Sequence, residues 1–334
     1  MACIGIMLNN SYANLLTLRL NCSYQQVLYL SSMAKNNKSI YTALAANVLI
    51  AVTKFIAGAY SNSSSMVSEG IHSLVDTVDQ LLLLYGLNRS KKPADATRPF
   101  GYGKELYFWS FIVSILIFGL GGGLSLYQGV QHIIHPEALG NPTWNYVVLA
   151  VSLVLEGWSF LVARKEFNKV RNGLSYWQAI VNSKDPASFL VLFEDGAAVL
   201  GLIVVFVFMV VGHHFNIAYL DGVASVVIGL ILVFVSAILA RESRSLLLGE
   251  SITPETKQQI QLITEKNEHV VGVINIISTY QSPEEVILMI LCNFKPDLDT
   301  EDIANAIKSI RVAIKQAYPL VRYVIIQPQL EQKD

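Results

Sequence analysis

Long blocks of apolar residues with few polar breaks dominate this chain. Six of them approach or exceed the ~20 residues needed to cross a ~30 Å hydrocarbon layer. They cover residues 41–60, 66–87, 106–133, 146–163, 187–211 and 220–240, and short polar or proline-bearing links separate them. Helices of a soluble protein need a polar outer face, and these blocks leave too little polar surface to supply one. The pattern predicts a six-helix transmembrane bundle, all α.

The pattern changes at Ser251. Thr253-Pro254-Glu255 reads as a helix start, with a capping hydroxyl, proline at the first helical position and then an acid. That helix is expected to run to about Asn267. Residues 270–278 and 286–293 are rich in β-branched and apolar residues, with a turn at Gln281-Ser282-Pro283. Thr300 opens a second helix with Ile303, Ile307, Ile310 and Ile314 on one face, Pro319 ends it, and 321–327 reads as a last strand. The order α-β-β-α-β predicts a small α/β, ferredoxin-like domain. The expected division is therefore an N-terminal extension (1–38), a six-span membrane domain (39–248) and a cytoplasmic C-terminal domain (249–334). Met33-Ala-Lys-Asn-Asn-Lys resembles a natural bacterial start, so residues 1–32 are expected to be an upstream misread or a dispensable extension.

Composition agrees with a membrane chain. Charged residues make up 15% against roughly 25% in soluble domains. A net charge of −1 gives no reason to expect nucleic acid as a partner. Cys3, Cys22 and Cys292 have no metal-type spacing. Lysine and arginine sort by link: Arg89, Lys91, Lys92, Arg98 and Lys104 lie between spans two and three, and Arg164, Lys165, Lys169, Arg171 and Lys184 between four and five. Arg241 and Arg244 follow span six, whereas the other three links have none. The positive-inside rule then puts both termini in the cytoplasm.

Ionisable groups inside the spans cost roughly 2.5–3.5 kcal/mol each at mid-helix and so call for a partner or a function. Span two carries Glu69, His72, Asp76 and Asp79. His72 and Asp76, four apart, share a helix face. An imidazole and a carboxylate so placed form half of a divalent-metal site, although such a pair also serves as helix–helix glue. Span five carries Glu194 and Asp195, which either complete a ligand cluster or pair with Lys54 of span one. Glu156 in span four reads as a structural hydrogen-bonder, Asp221 as a helix cap, and His213-His214 as a solvated turn of an outer link; His132 and His135 lie near the same face and form no tight ligand cluster.

Ser68-Glu69-Gly70-Ile71-His72-Ser73-Leu74-Val75-Asp76 in span two, with six spans and an α-β-β-α-β tail, resembles the cation diffusion facilitator (cation efflux) family. Pro99-Phe100-Gly101-Tyr102-Gly103-Lys104-Glu105 is similar to that family's loop after span two. Asp221-Gly222-Val223-Ala224-Ser225 and Leu247-Leu248-Gly249-Glu250 are similar to its span-six opening and exit. Glu194-Asp195 without a histidine resembles the branch that includes the mitochondrial zinc transporter nine. The resemblance implies a homodimer in the bacterial inner membrane. It implies export of a divalent cation, zinc first and cobalt, iron or manganese after it, in exchange for protons. The cation is cargo, and no other cofactor is expected. The family's mid-membrane site maps onto His72, Asp76 and Asp195, and its fourth position falls on Val191, which cannot bind metal. Water or Glu194 then completes the site. The alternatives are a non-transporting partner subunit or a membrane-embedded metalloenzyme. Arg98 and Tyr102 stand where a loop metal site would have histidines, although Asp95 remains.

Overall fold

A computed structural model describes residues 37–136, 143–171 and 173–329. Residues 1–32, and with them the expected start at Met33, lie outside the described residues. Each of the six apolar blocks is helical: α1 (Asn37–Ser61), α2 (Ser64–Ser90), a third rod running from Glu105 to Ile134, α5 (Thr143–Val170), α7 (Pro186–Phe215) and α8 (Tyr219–Leu248). Four are long and apolar enough to cross a membrane: the third rod, α5, α7 and α8. The apolar stretch described for α1, Asn47–Ser61, is shorter, and α2 is diluted by its acids and histidine. This is an integral membrane protein.

The third rod is not uniform. It comprises α3 (Glu105–Leu116), a π-helical stretch (Ile117–Gly123) and α4 (Leu124–Ile134). The π stretch reads Ile-Phe-Gly-Leu-Gly-Gly-Gly, and glycines hold the α form weakly. A short helix absent from the sequence expectation, α6 (Tyr176–Asn182), lies in the link before α7.

The chain clusters into two compact units. Of the described residues, the first contains those up to Gln80 and those within Leu124–Ala179 and Ala198–Gly229; the second contains those within Leu81–Gly123 and Ile180–Ala197 and those from Leu230 onward. Within the first, α1 turns into α2 through Asn62 and α7 into α8 through Asn216, both in the left-handed region (φ 49° and 55°) that asparagine tolerates. In the same unit α4 and α8 meet at paired glycines. A Cβ on Gly129 would stand 2.7 Å from the Gly222 carbonyl, and one on Gly222 2.8 Å from the Gly129 carbonyl. Small residues permit this close backbone approach between membrane helices.

The second unit carries the C-terminal domain: α9 (Pro254–Glu265), β1 (Val270–Ser282), β2 (Glu285–Phe294), α10 (Thr300–Ala317) and β3 (Val321–Pro328). β1 and β2 are antiparallel, β2 and β3 parallel, and the order is β1-β2-β3. The α-β-β-α-β order matches the sequence expectation. β1 runs further than expected, through Gln281 and Ser282, because the hairpin turns at Pro283-Glu284. Ile260, Leu288, Ile290, Ile310 and Ile314 are buried in a core of sheet and helix side chains. Thr253 caps α9 and accepts from the Thr256 N–H, while Asp299 and Asp302 form a reciprocal capping box on α10.

The loop before α3 packs on this domain within the same unit. The rings of Phe100 and Tyr323 meet edge-to-face at 5.5 Å, Lys104 Nζ donates to the Leu247 carbonyl at 3.3 Å, and Lys184 pairs with Glu250.

Candidate metal centre

α2 brings His72 and Asp76 together. His72 Nδ1 and Asp76 Oδ1 are 3.4 Å apart, with the imidazole buried and the carboxylate mostly so. One turn of helix separates the two residues, so the contact follows from α-geometry alone. Asp79, three residues on, is buried with neither carboxylate oxygen hydrogen-bonded. Glu194 and Asp195 sit on α7, Glu194 buried and Asp195 half-buried. Val191, one turn earlier, is partly exposed and offers no ligand atom. Among the described residues, no three His, Cys, Asp or Glu side chains are grouped tightly enough to hold a metal in this conformation.

The span-one lysine does not leave its partner open. Lys54 is fully buried, and Nζ donates to Glu69 Oε2 at 3.1 Å, Ser73 Oγ at 2.9 Å and Glu156 Oε1 at 2.7 Å. The structural role expected for Glu156 is therefore met, with a partner the sequence did not name. Helix periodicity shows which residues share one face, but not which face of another helix they meet.

Asp221, in the first turn of α8, reaches across to the start of α2. Its oxygens accept from Ser63 Oγ (2.7 Å), Ser64 Oγ (3.0 Å), and both the N–H (3.2 Å) and hydroxyl of Ser65 (2.5 Å). It thus satisfies the Ser65 N–H in the first turn of α2, where N–H groups have no intrahelical acceptor, while Met66 N–H donates to Ser63 Oγ. His132 lies 3.8 Å from Asp221 with its side chain 10% exposed. It is buried beside this carboxylate.

The loop after α2 ties itself up. Asp95 accepts from the Thr97 N–H and hydroxyl, the Arg98 N–H and the Tyr102 hydroxyl. These bonds hold its carboxyl well below the usual carboxylate range. The Arg98 guanidinium stacks 4.8 Å from the Tyr102 ring. Both Asp95 oxygens are engaged inside the loop.

Residues 40–248 match the cation efflux transmembrane domain. The chain belongs to the cation efflux family. That is a family of membrane transporters, not of enzymes. The chain is 36% identical over 244 residues to the human protein named proton-coupled zinc antiporter SLC30A9, mitochondrial, covering 72% of this chain and 43% of that one. It is 32% identical over 266 residues to metal tolerance protein C4 of Arabidopsis thaliana, covering 79% and 57%. It is 32% identical over 117 residues to magnetosome protein MamM of Paramagnetospirillum magneticum, covering 35% and 36%. The chain spans about half the length of the first two.

Proposed function

We propose that this cation efflux protein moves a divalent metal ion, zinc first, out of the cytoplasm in exchange for protons. In this reading α1 and α2 also cross the bilayer, giving six spans. Both termini are cytoplasmic, as the Lys and Arg distribution favours, in a bacterial inner membrane and as a homodimer. His72, Asp76 and Asp195 hold the ion, with Glu194 or water as the fourth ligand.

The observation that carries the reading is the His72–Asp76 pair, 3.4 Å apart and inside the helical region. An imidazole with carboxylates suits zinc and tolerates harder divalent ions. Both groups bind metal only when deprotonated, so metal and protons compete for the same atoms. The names of the zinc antiporter and metal tolerance relatives point the same way.

Zinc uptake into proteoliposomes containing this chain alone, with a pH gradient imposed, tests it. Gradient-dependent zinc flux is the expected result. No flux from the folded protein would favour the second reading, a partner subunit that lost its site when Val191 took a ligand position. Glu194→Gln then decides the fourth ligand. If Glu194 binds the ion, zinc affinity falls nearly as far as in Asp195→Asn; if water does, it holds.

A further inference from the structure

Lys54 of α1 meets Glu69 and Ser73 of α2 and Glu156 of α5, and all three protons of its ammonium are used. Each carboxylate keeps a second oxygen, Glu69 Oε1 and Glu156 Oε2, that is closed off from solvent and has no hydrogen-bond partner. Glu69 itself is fully buried, and its Oε1 faces bare backbone of α7: a Cβ on Gly201 would stand 2.5 Å from it. One ammonium against two carboxylates leaves one negative charge over in an apolar interior. A buried carboxylate without a compensating charge is strongly unfavourable.

We infer that Lys54, Glu69 and Glu156 form a second ion site, apart from the His72–Asp76 pair, which takes up one monovalent positive charge, a proton or an alkali ion, at the two free carboxylate oxygens. Lys54 sets the class of ligand. Its fixed charge offsets one carboxylate, so a single monovalent ion completes neutrality, whereas a divalent ion would overshoot and be repelled by the ammonium. The charged and titratable groups facing the site are Lys54 from α1, Glu69, His72 and Asp76 from α2, and Glu156 from α5; α7 presents Gly201. A divalent ion arriving at His72 and Asp76 raises the local potential and drives the monovalent charge out of the cluster. Binding of one ion is thereby linked to release of the other without shared ligand atoms.

The inference rests on the proposed metal/proton exchange, and the test separates the two. Zinc is titrated into the full-length protein in lipid nanodiscs, in choline or sodium salt. Protons released per zinc are read by calorimetry in buffers of different ionisation enthalpy. Glu156→Gln removes the surplus charge and leaves Lys54 paired with Glu69; Glu69→Gln serves the same purpose if the first variant does not fold. If the ion is a proton, the variant releases about one proton fewer per zinc than wild type. If it is sodium, a tenfold rise in sodium weakens wild-type zinc affinity by up to about tenfold and leaves the variant unaffected. Lys54→Met combined with Glu156→Gln restores the surplus charge and should restore the linkage. Equal proton release and equal sodium dependence in wild type and Glu156→Gln would overturn the second site. Failure of the wild type to bind zinc at all would instead contradict the transport reading.

Discussion

Lys54 sets one buried positive charge against two carboxylates, Glu69 and Glu156, inside the helical region. Removing one partner of a buried ion pair typically costs about 3–5 kcal/mol, because the opposite charges are left unmet. Lys54→Met should therefore lower the melting temperature of the detergent-purified protein sharply. The neutral triple Lys54→Met, Glu69→Gln, Glu156→Gln should recover most of that loss. A single variant as stable as wild type would show the network to be dispensable. Cys292 makes a different point at the same scale. It is fully buried in β2, and burial pushes its thiol up to about 11. A raised folded value favours the neutral thiol, so this contribution is complete below the unfolded value near 8.5 and is lost as pH rises through 11. Alkylation of Cys292 at pH 8 should accordingly be more than tenfold slower in the native protein than in urea. Equal rates would mean that this part of the sheet is open.

The elements were legible in the sequence to different depths. The six apolar blocks became helices because length and unbroken hydrophobicity are enough to specify them. The α-β-β-α-β order was readable from caps and periodicity. Asp299, for instance, bonds the Asp302 N–H at 2.8 Å while Asp302 reaches back to the Asp299 N–H. Asp299→Ala should cost about 1 kcal/mol, read as a lower melting point of the C-terminal domain signal in the full chain, and an unchanged melt would sink the capping argument. The π stretch at 117–123 was not anticipated, since a glycine run weakens an α-helix without saying what replaces it. The His72–Asp76 contact was visible as a four-residue spacing, because it lies within one helix. The partners of Lys54 and the serines around Asp221 were not, because they join different helices, and packing alone decides which faces meet.

At the scale of the whole molecule, the chain is an integral membrane protein of the cation efflux family, for which we propose a cargo site built around one helical turn of α2. The central claim is that His72 and Asp76 bind the transported ion rather than glue helices together. The most direct measurement compares zinc flux into proteoliposomes for wild type, His72→Ala and Asp76→Ala, each checked for folding by size-exclusion profile and melting. The account predicts flux in the wild type and loss of it in both variants while they remain folded. Normal flux in both variants would contradict it and leave the pair as structural glue.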